Sequence, residues 1–142
     1  MLPCSDIETS LTPGKLRDKK HRERSSLGAI QTFFELANRW NLTVEQRCIL
    51  LGDVSRQTYY NWQSGRVGVL SRDQLERVSL VKDIDRCLHR IFTDQAAAAA
   101  WLTTPNESEP FRGRDPLRHA LQGGVLDLHS VRNHLKAITA SS

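Results

Sequence analysis

Apolar residues in this chain recur every three to four positions and nowhere alternate with a period of two, which predicts an all-α fold. The first periodic stretch runs from Gly28 to about Asn41 and should bury one face of a helix. Its apolar positions are Ile30, Phe33, Phe34, Ala37 and Trp40. Residues 1–27 lack such periodicity, so we expect a disordered N-terminal arm. Its basic run, residues 15–24, suits either a DNA-contacting arm that folds on binding or a solvated charged segment.

Two short helices should follow, separated by a tight turn. Thr43 is placed to cap a helix over residues 44–51, and Ser55 to cap a second over residues 56–64. Gly52 between them suits a turn that needs a positive φ. Two short helices joined by a glycine-containing turn form the helix-turn-helix pattern, whose second helix meets DNA bases in a major groove.

The outer face of that second helix carries side chains with hydrogen-bonding tips, if Val54, Tyr59 and Trp62 face inward. Arg, Gln and Asn can each grip a base edge with two hydrogen bonds. The DNA-binding candidates are Ser55, Arg56, Gln57, Thr58, Tyr60, Asn61 and, as a phosphate contact from the following loop, Arg66. An ordinary helical hairpin with a polar outer face is the alternative explanation.

A long helix should connect this region to the rest of the chain, from Arg72 to about Phe92 with Ser71 as its cap. Its apolar stripe comprises Leu80, Ile84, Cys87, Leu88 and Ile91, with Arg77, Lys82, Arg86 and Arg90 outside. The sequence then predicts a helix capped by Asp94, a loop over residues 103–114, and a short helix between Asp115 and Gly123. We expect Asp127 to cap the last helix, whose apolar stripe is Leu128, Val131, Leu135 and Ile138.

These elements divide the chain into four parts: a basic arm (1–27), a helix-turn-helix domain (28–70), a connecting or dimerisation helix (71–93) and a small helical domain (94–142). The formal net charge is +4. The positive excess lies in front of residue 93, because residues 93–142 carry five basic and five acidic side chains. We therefore expect the DNA-binding surface in the front two-thirds of the chain.

The sequence offers little for catalysis, cofactor binding or metal binding. It has no phosphate-cradling glycine loop, and His129 and His134 fall on different sides of a helix. Three cysteines without CxxC spacing suit a reducing cytoplasm, and we expect Cys48 and Cys87 in the core. No apolar run is long enough to cross a bilayer. The chain is thus expected to be a cytoplasmic protein that is neither an enzyme nor a cofactor carrier.

The C-terminal third resembles the toxin-binding domain of Xre/MbcA/ParS-type antitoxins. The similarity lies in Trp101-Leu102, Pro105-Asn106, Phe111 with Gly113, Pro116-Leu117, the helix ending in Gly123, and the last helix. The stretch from Leu42 to Gly65, with Ser55, Thr58 and Trp62, looks like the Xre-type helix-turn-helix of the same family. Together the similar regions cover about residues 28–138.

This resemblance implies a type II antitoxin that blocks a NAD-consuming toxin, either a RES-domain enzyme or an ADP-ribosyltransferase-like one. Family members also form dimers and repress their own operons, so operator DNA and the toxin encoded in that operon are the expected partners. In this family the last helix and the C-terminal end approach the toxin's active-site cleft, and the resemblance implies the same here. The candidate toxin-binding residues are Trp101, Asn106, Phe111, Arg112, Arg132, Lys136, Thr139, Ser141 and Ser142. The alternative role is to define the fold of the domain, and it applies equally to Trp101, Pro105, Asn106, Phe111 and Gly113.

The alternative is a stand-alone helix-turn-helix regulator whose C-terminal half only dimerises.

Overall fold

The computed structural model describes the backbone of residues 13–140 and the side chains of residues 18–140. This part of the chain contains seven helices and no strand, so the all-α prediction is confirmed. The helices are α1 (Pro13–Arg39), α2 (Val44–Leu50), α3 (Arg56–Gln63), α4 (Arg72–Ile91), α5 (Gln95–Thr103), α6 (Pro116–Gly123) and α7 (Val125–Ala140).

The first helix is far longer than the apolar pattern indicates. It begins at Pro13 rather than Gly28, so the expectation of disorder is wrong for residues 13–27, while residues 1–12 lie outside the described part. Lys, Arg and Glu favour helices, and a helix that has already nucleated extends readily through such residues. Proline also fits a first helical position, because its missing N–H has no partner there. Periodicity misses this segment because its described side chains before Ser26 are exposed.

The predicted helix starts agree with the structure where a short polar side chain caps them. Thr43 and Ser71 each form a capping box, with Gln46 and Gln74 respectively. Asp94 and Asp115 also cap their helices. These caps satisfy backbone N–H groups that no helical carbonyl can reach, which fixes where each helix begins.

The predicted cap of the last helix is wrong. Helix α7 begins at Val125, directly after Gly124, and Asp127 lies inside its first turn. Gly124 has a φ of 80°, which reverses the chain without a loop between α6 and α7. The backbone N–H of Asp127 donates to the carbonyl of Gly124 at 3.2 Å, so Asp127 is already helical.

Helix α4 lies between α1 and α7, and all three run in the same direction. On one side, the Leu70 N–H donates to Oγ of the buried Ser26 at 3.0 Å, and Arg39 pairs with Asp85 further along. On the other side, α7 contacts α4 through polar side chains described below. The buried residues form one apolar cluster from Ile30 to Leu135, so the two halves of the chain share a core.

The apolar stripe of α4 is used within the chain, since its residues from Val78 to Leu88 pack against α1 and α7. Cys48 and Cys87 are buried free thiols, as expected. Burial raises the pKa of the Cys48 thiol, which keeps it protonated and unreactive.

Arg77 was expected outside but is largely covered. Its Nε bonds Asp73 Oδ2 at 2.8 Å, and the side chain is 15% exposed. Its guanidinium lies against Gly52 in the helix-turn-helix and against Gly124 between α6 and α7. Arg77 therefore touches both turns that bring the halves together. The turn at Gly52 requires this residue type, because its φ is 100°.

Candidate functional site

The second helix of the helix-turn-helix, α3, has one buried and one exposed face. Tyr59 and Trp62 are buried, as predicted, and Val54 packs beside them. Tyr59 meets Phe34 of α1 edge-to-face, with ring centroids 5.4 Å apart. This packing orients α3 so that the opposite face points to solvent.

The exposed face of α3 carries the predicted hydrogen-bonding side chains. Arg56, Gln57 and Tyr60 are exposed. Gln57 Nε2 donates to Asn61 Oδ1 at 3.1 Å, and Arg66 Nη2 donates to the same oxygen at 3.1 Å. The structure thus brings together a guanidinium and two amides beside the free Arg56 head, groups that can each bond a base edge.

Ser55 and Thr58, also predicted to contact DNA, are occupied by the start of the helix. Ser55 Oγ accepts the Thr58 N–H at 3.0 Å and donates to Thr58 Oγ1 at 3.0 Å. Their first role is therefore to begin α3 at the right residue.

Arg47 supports this surface and is not evident from the sequence. Its guanidinium donates to Tyr59 Oη at 3.2 Å, to Asn38 Oδ1 at 2.9 Å and to the carbonyl of Leu42 at 3.0 Å. One side chain thereby ties α1, α2 and α3 together. The sequence gives little indication of this role, because Arg47 bonds to Asn38 and Tyr59, which lie 9 and 12 positions away in the chain.

The C-terminal domain is built around Phe111. This ring has no exposed surface, and it meets Trp101, His119 and His134 at centroid distances of 5.9, 5.4 and 5.0 Å. Trp101 and His134 also stack on each other. Phe111 offers no exposed surface to a partner in this structure, and its burial favours the fold-defining role. Trp101 stays partly exposed.

The loop before α6 uses Asn106 as an internal brace. Its Oδ1 accepts the Ser108 N–H at 2.9 Å, and its carbonyl accepts the Gly113 N–H at 2.8 Å. Arg112, in contrast, is exposed and paired with Glu109 at 3.0 Å. Of these two candidates, only Arg112 presents its side chain fully to a partner.

A groove of about 810 Å³ lies where α4 and α7 end. Its lining residues are Arg90, Ile91, Lys136, Ile138, Thr139 and Ala140. It brings together the predicted Lys136 and Thr139 with Arg90 and Ile91, which the sequence did not single out as partner contacts. Ser141 and Ser142 lie outside the described residues.

Ile138 is 38% exposed rather than part of the core stripe. The buried stripe of α7 comprises Leu128, Val131 and Leu135, and α4 ends at Ile91, so Ile138 has too little of α4 left to cover it.

Arg132 faces α4 rather than this groove. Its Nη1 lies 3.3 Å from Asp83 Oδ2, and its Nη2 lies 3.1 Å from His129 Nδ1. His129 Nε2 in turn lies 3.3 Å from Glu76 of α4. This polar seam fixes α7 against α4, which makes Arg132 a poor candidate for toxin contact.

The described side chains include no cluster of three or more His, Cys, Asp or Glu suited to a metal ion. No helix in the described range is both long and apolar enough to cross a membrane.

The fold and these surfaces define a helix-turn-helix protein with a second, helical domain packed onto it. A model of the antitoxin Xre-like helix-turn-helix domain matches residues 20–81. A model of the antitoxin Xre/MbcA/ParS C-terminal toxin-binding domain matches residues 87–140. The chain belongs to the Xre/MbcA/ParS family of antitoxins, and its C-terminal half is a toxin-binding domain.

The chain is also 35% identical over 108 residues to the uncharacterized protein y4oB of Sinorhizobium fredii (strain NBRC 101917 / NGR234). The alignment spans 76% of this chain and 81% of that protein.

Proposed function

We propose that this antitoxin blocks a NAD-consuming toxin, of the RES or ADP-ribosyltransferase-like kind, and represses its own operon as a homodimer. The observation that carries the proposal is the separation of the two surfaces. The loop after α3 leads into the start of α4, whereas the groove includes its last residues, Arg90 and Ile91. A helix of 20 residues spans about 30 Å, so toxin and DNA can be bound at the same time.

The groove has the composition of a protein-binding site. Ile91 and Ile138 supply apolar area, and Arg90 and Lys136 flank it with positive charge. A partner that covers Ile138 must offer carboxylates or carbonyl oxygens to these cations, because a desolvated charge without a partner is costly. We therefore expect an acidic rim on the toxin face that docks here. The NAD-consuming class of toxin rests on the family resemblance.

On the DNA side, Arg56 is the best candidate for sequence reading. It is exposed at the first position of α3 and has no ion pair among the described side chains. We expect Arg56→Ala to reduce the preference for operator over random DNA by about tenfold to a hundredfold. Toxin neutralisation should be unchanged. A folded variant that lost both activities would contradict the separation of the two surfaces.

Homodimerisation cannot use the apolar stripe of α4, which is covered within the chain. The exposed apolar side chains near the start of α4 are Val69 and Leu75, 47% and 38% exposed. A two-fold dimer would place two copies of α3 about 34 Å apart along one face of DNA. Light scattering during size-exclusion chromatography would establish the oligomeric state.

The deciding experiment is co-purification with the product of the adjacent open reading frame, with a tag on one partner only. We expect a stable complex, and toxicity of the neighbour when it is expressed alone. Ile138→Asp should weaken the complex, because it puts a carboxylate into the apolar part of the groove. Leu126→Asp is the matched control, since Leu126 is 73% exposed near the opposite end of α7.

If both variants form the complex equally well, the groove is not the toxin-binding site. Absence of both complex and toxicity would leave the alternative, a regulator whose C-terminal half only dimerises.

A further inference from the structure

Residues 18–25, in the N-terminal half of α1, contribute no buried side chain to the core. All side chains from Asp18 to Ser25 are exposed, and the first buried position is Ser26. An exposed helical extension of this kind gains little from packing, and most helical stability in proteins comes from packing. Continuity with the packed half of α1 accounts for its helical state, while its exposed side chains face solvent or a partner rather than the core.

Positive charge predominates among the described side chains of this extension. Between Asp18 and Ser25 it carries four Lys and Arg side chains against two acidic ones. The four are Lys19, Lys20, Arg22 and Arg24. Although acidic residues stand within helical reach, none of the four forms an ion pair with a described acidic side chain. These cations remain available to an anionic partner.

Their position relative to α3 indicates which partner. A groove lies between α1 and the loop after α3. Its lining residues are Lys20, Glu23, Arg24 and Leu27 of α1 and Gly65, Val67 and Gly68 of the loop, so two cations and one carboxylate meet there. The side chain of Val67 packs against the core, which holds this loop in place beside α1.

Arg66 belongs to the same loop and donates to Asn61 on the exposed face of α3. The cations of α1 thus continue the positive surface that begins at that face. When α3 enters a major groove, the loop at its C-terminal end lies close to the phosphate backbone that borders the groove.

We propose that the N-terminal half of α1 is a second DNA-contacting element, in which Lys20 and Arg24 grip the phosphate backbone beside the recognition helix. Lys20 and Arg24 are four residues apart, which places them on one face of the helix. The helix is formed before DNA arrives, so no ordering of this segment opposes binding. Such contacts carry no sequence information and act through counterion release. The proposal rests on the DNA binding proposed above.

The test compares two double variants of the full chain. Lys20→Ala/Arg24→Ala removes two cations from the extension. Lys82→Ala/Arg86→Ala is the control, because it removes two exposed cations at the same spacing from α4. Circular dichroism establishes that both remain folded.

Fluorescence anisotropy then measures affinity for DNA from upstream of the chain's own gene and for a random duplex, from about 50 to about 200 mM salt.

We expect the extension variant to lose about tenfold in affinity for both duplexes, with the ratio between them unchanged. The slope of log affinity against log salt should fall by about two, one for each phosphate contact. The control should change neither quantity by more than about twofold.

The inference is overturned if the extension variant matches the control while the wild type binds the upstream duplex. It is also overturned if only the preference between duplexes changes, which would indicate base reading, or if toxin capture is lost instead, which would indicate a protein partner. Failure of the wild type to bind either duplex would refute the proposed DNA binding itself.

Discussion

Replacement of Phe111 by alanine tests whether this residue stabilises the core or contacts the toxin. The ring is fully buried among Trp101, His119 and His134. Truncation of such a phenylalanine costs about 3–5 kcal/mol, through lost transfer free energy and the cavity that remains. The edge-to-face contacts with neighbouring rings argue against the lower end of this range, so we take its midpoint, about 4 kcal/mol.

That loss converts into a large shift of the melting temperature. The entropy of unfolding is about 2.1 cal/mol/K per residue, or about 0.3 kcal/mol/K for a chain of this size. A destabilisation of about 4 kcal/mol should therefore lower Tm by about 13 °C. Because the halves of the chain share one core, we expect a single transition rather than separate melting of the C-terminal domain. Phe111→Leu fills part of the cavity and should lose about 1.5 kcal/mol or less.

The assay combines thermal unfolding, followed by circular dichroism, with toxin capture well below the lower Tm. Leu126→Ala, at an exposed position, is the control and should change stability by about 0.5 kcal/mol or less. We expect Phe111→Leu to capture toxin as the wild type does. A Phe111→Ala variant that melts within about 3 °C of the wild type but no longer captures toxin would refute the core role.

Three further predictions concern α4. Asp85→Ala should lower the free energy of unfolding in urea by about 2–3 kcal/mol, because the buried Trp40 Nε1–H, which donates to the Asp85 carboxylate at 3.1 Å, would lose its acceptor. Asp85→Asn can keep that hydrogen bond and should lower it by about half as much. The backbone carbonyl of Asp85 raises the pKa of His89, helped by the Gln95 side chain and the Asp85 charge. The resulting stabilisation is fully present below the ordinary pKa of about 6.5 and is lost as pH rises through the folded-state pKa. In an NMR titration of the Asp85→Asn variant, the pKa of His89 should stay raised, because the backbone carbonyl of residue 85 remains. A return to the ordinary value would show that the charge of Asp85, rather than its carbonyl, is the main cause of the raised pKa. Arg77→Met removes the guanidinium that lies against both turns and should lower the free energy of unfolding by about 1 kcal/mol. The control Lys82→Met, at an exposed position, should leave it almost unchanged. Equal effects of the two substitutions would argue against the bridging role of Arg77.

Features with local causes could be predicted from the sequence. Thr43, Ser55 and Ser71 cap helices through bonds to backbone N–H groups three residues away, so the sequence contains both partners. The burial of Tyr59 and Trp62 likewise follows from helical period alone. For the same reason the exposed face of α3 could be anticipated residue by residue.

Features that depend on distant partners could not be predicted. Asp85 is buried because Arg39 and Trp40 reach it across some 45 positions of sequence. Periodicity places Ile138 on the apolar face of α7, but its exposure depends on where α4 stops. The start of α1 was missed because its helix is stabilised by continuity with a core-bearing half rather than by an apolar face of its own.

The structure also bears on how toxin and DNA binding can influence each other. Helix α7 is tied to α4 by the ion pair Arg132–Asp83 and by the contact between His129 Nε2 and Glu76, both along the seam between the two helices. The groove proposed for toxin binding involves residues beyond this seam, so its occupation need not disturb the seam or the packing of Tyr59 that orients α3. Sites that share no partner residues and lie more than about 10 Å apart have nearly additive energies. It follows that, within one chain, single substitutions in the groove should change operator affinity by about 0.5 kcal/mol or less. A stronger effect of toxin on repression must then arise from how the complex joins two DNA-bound copies.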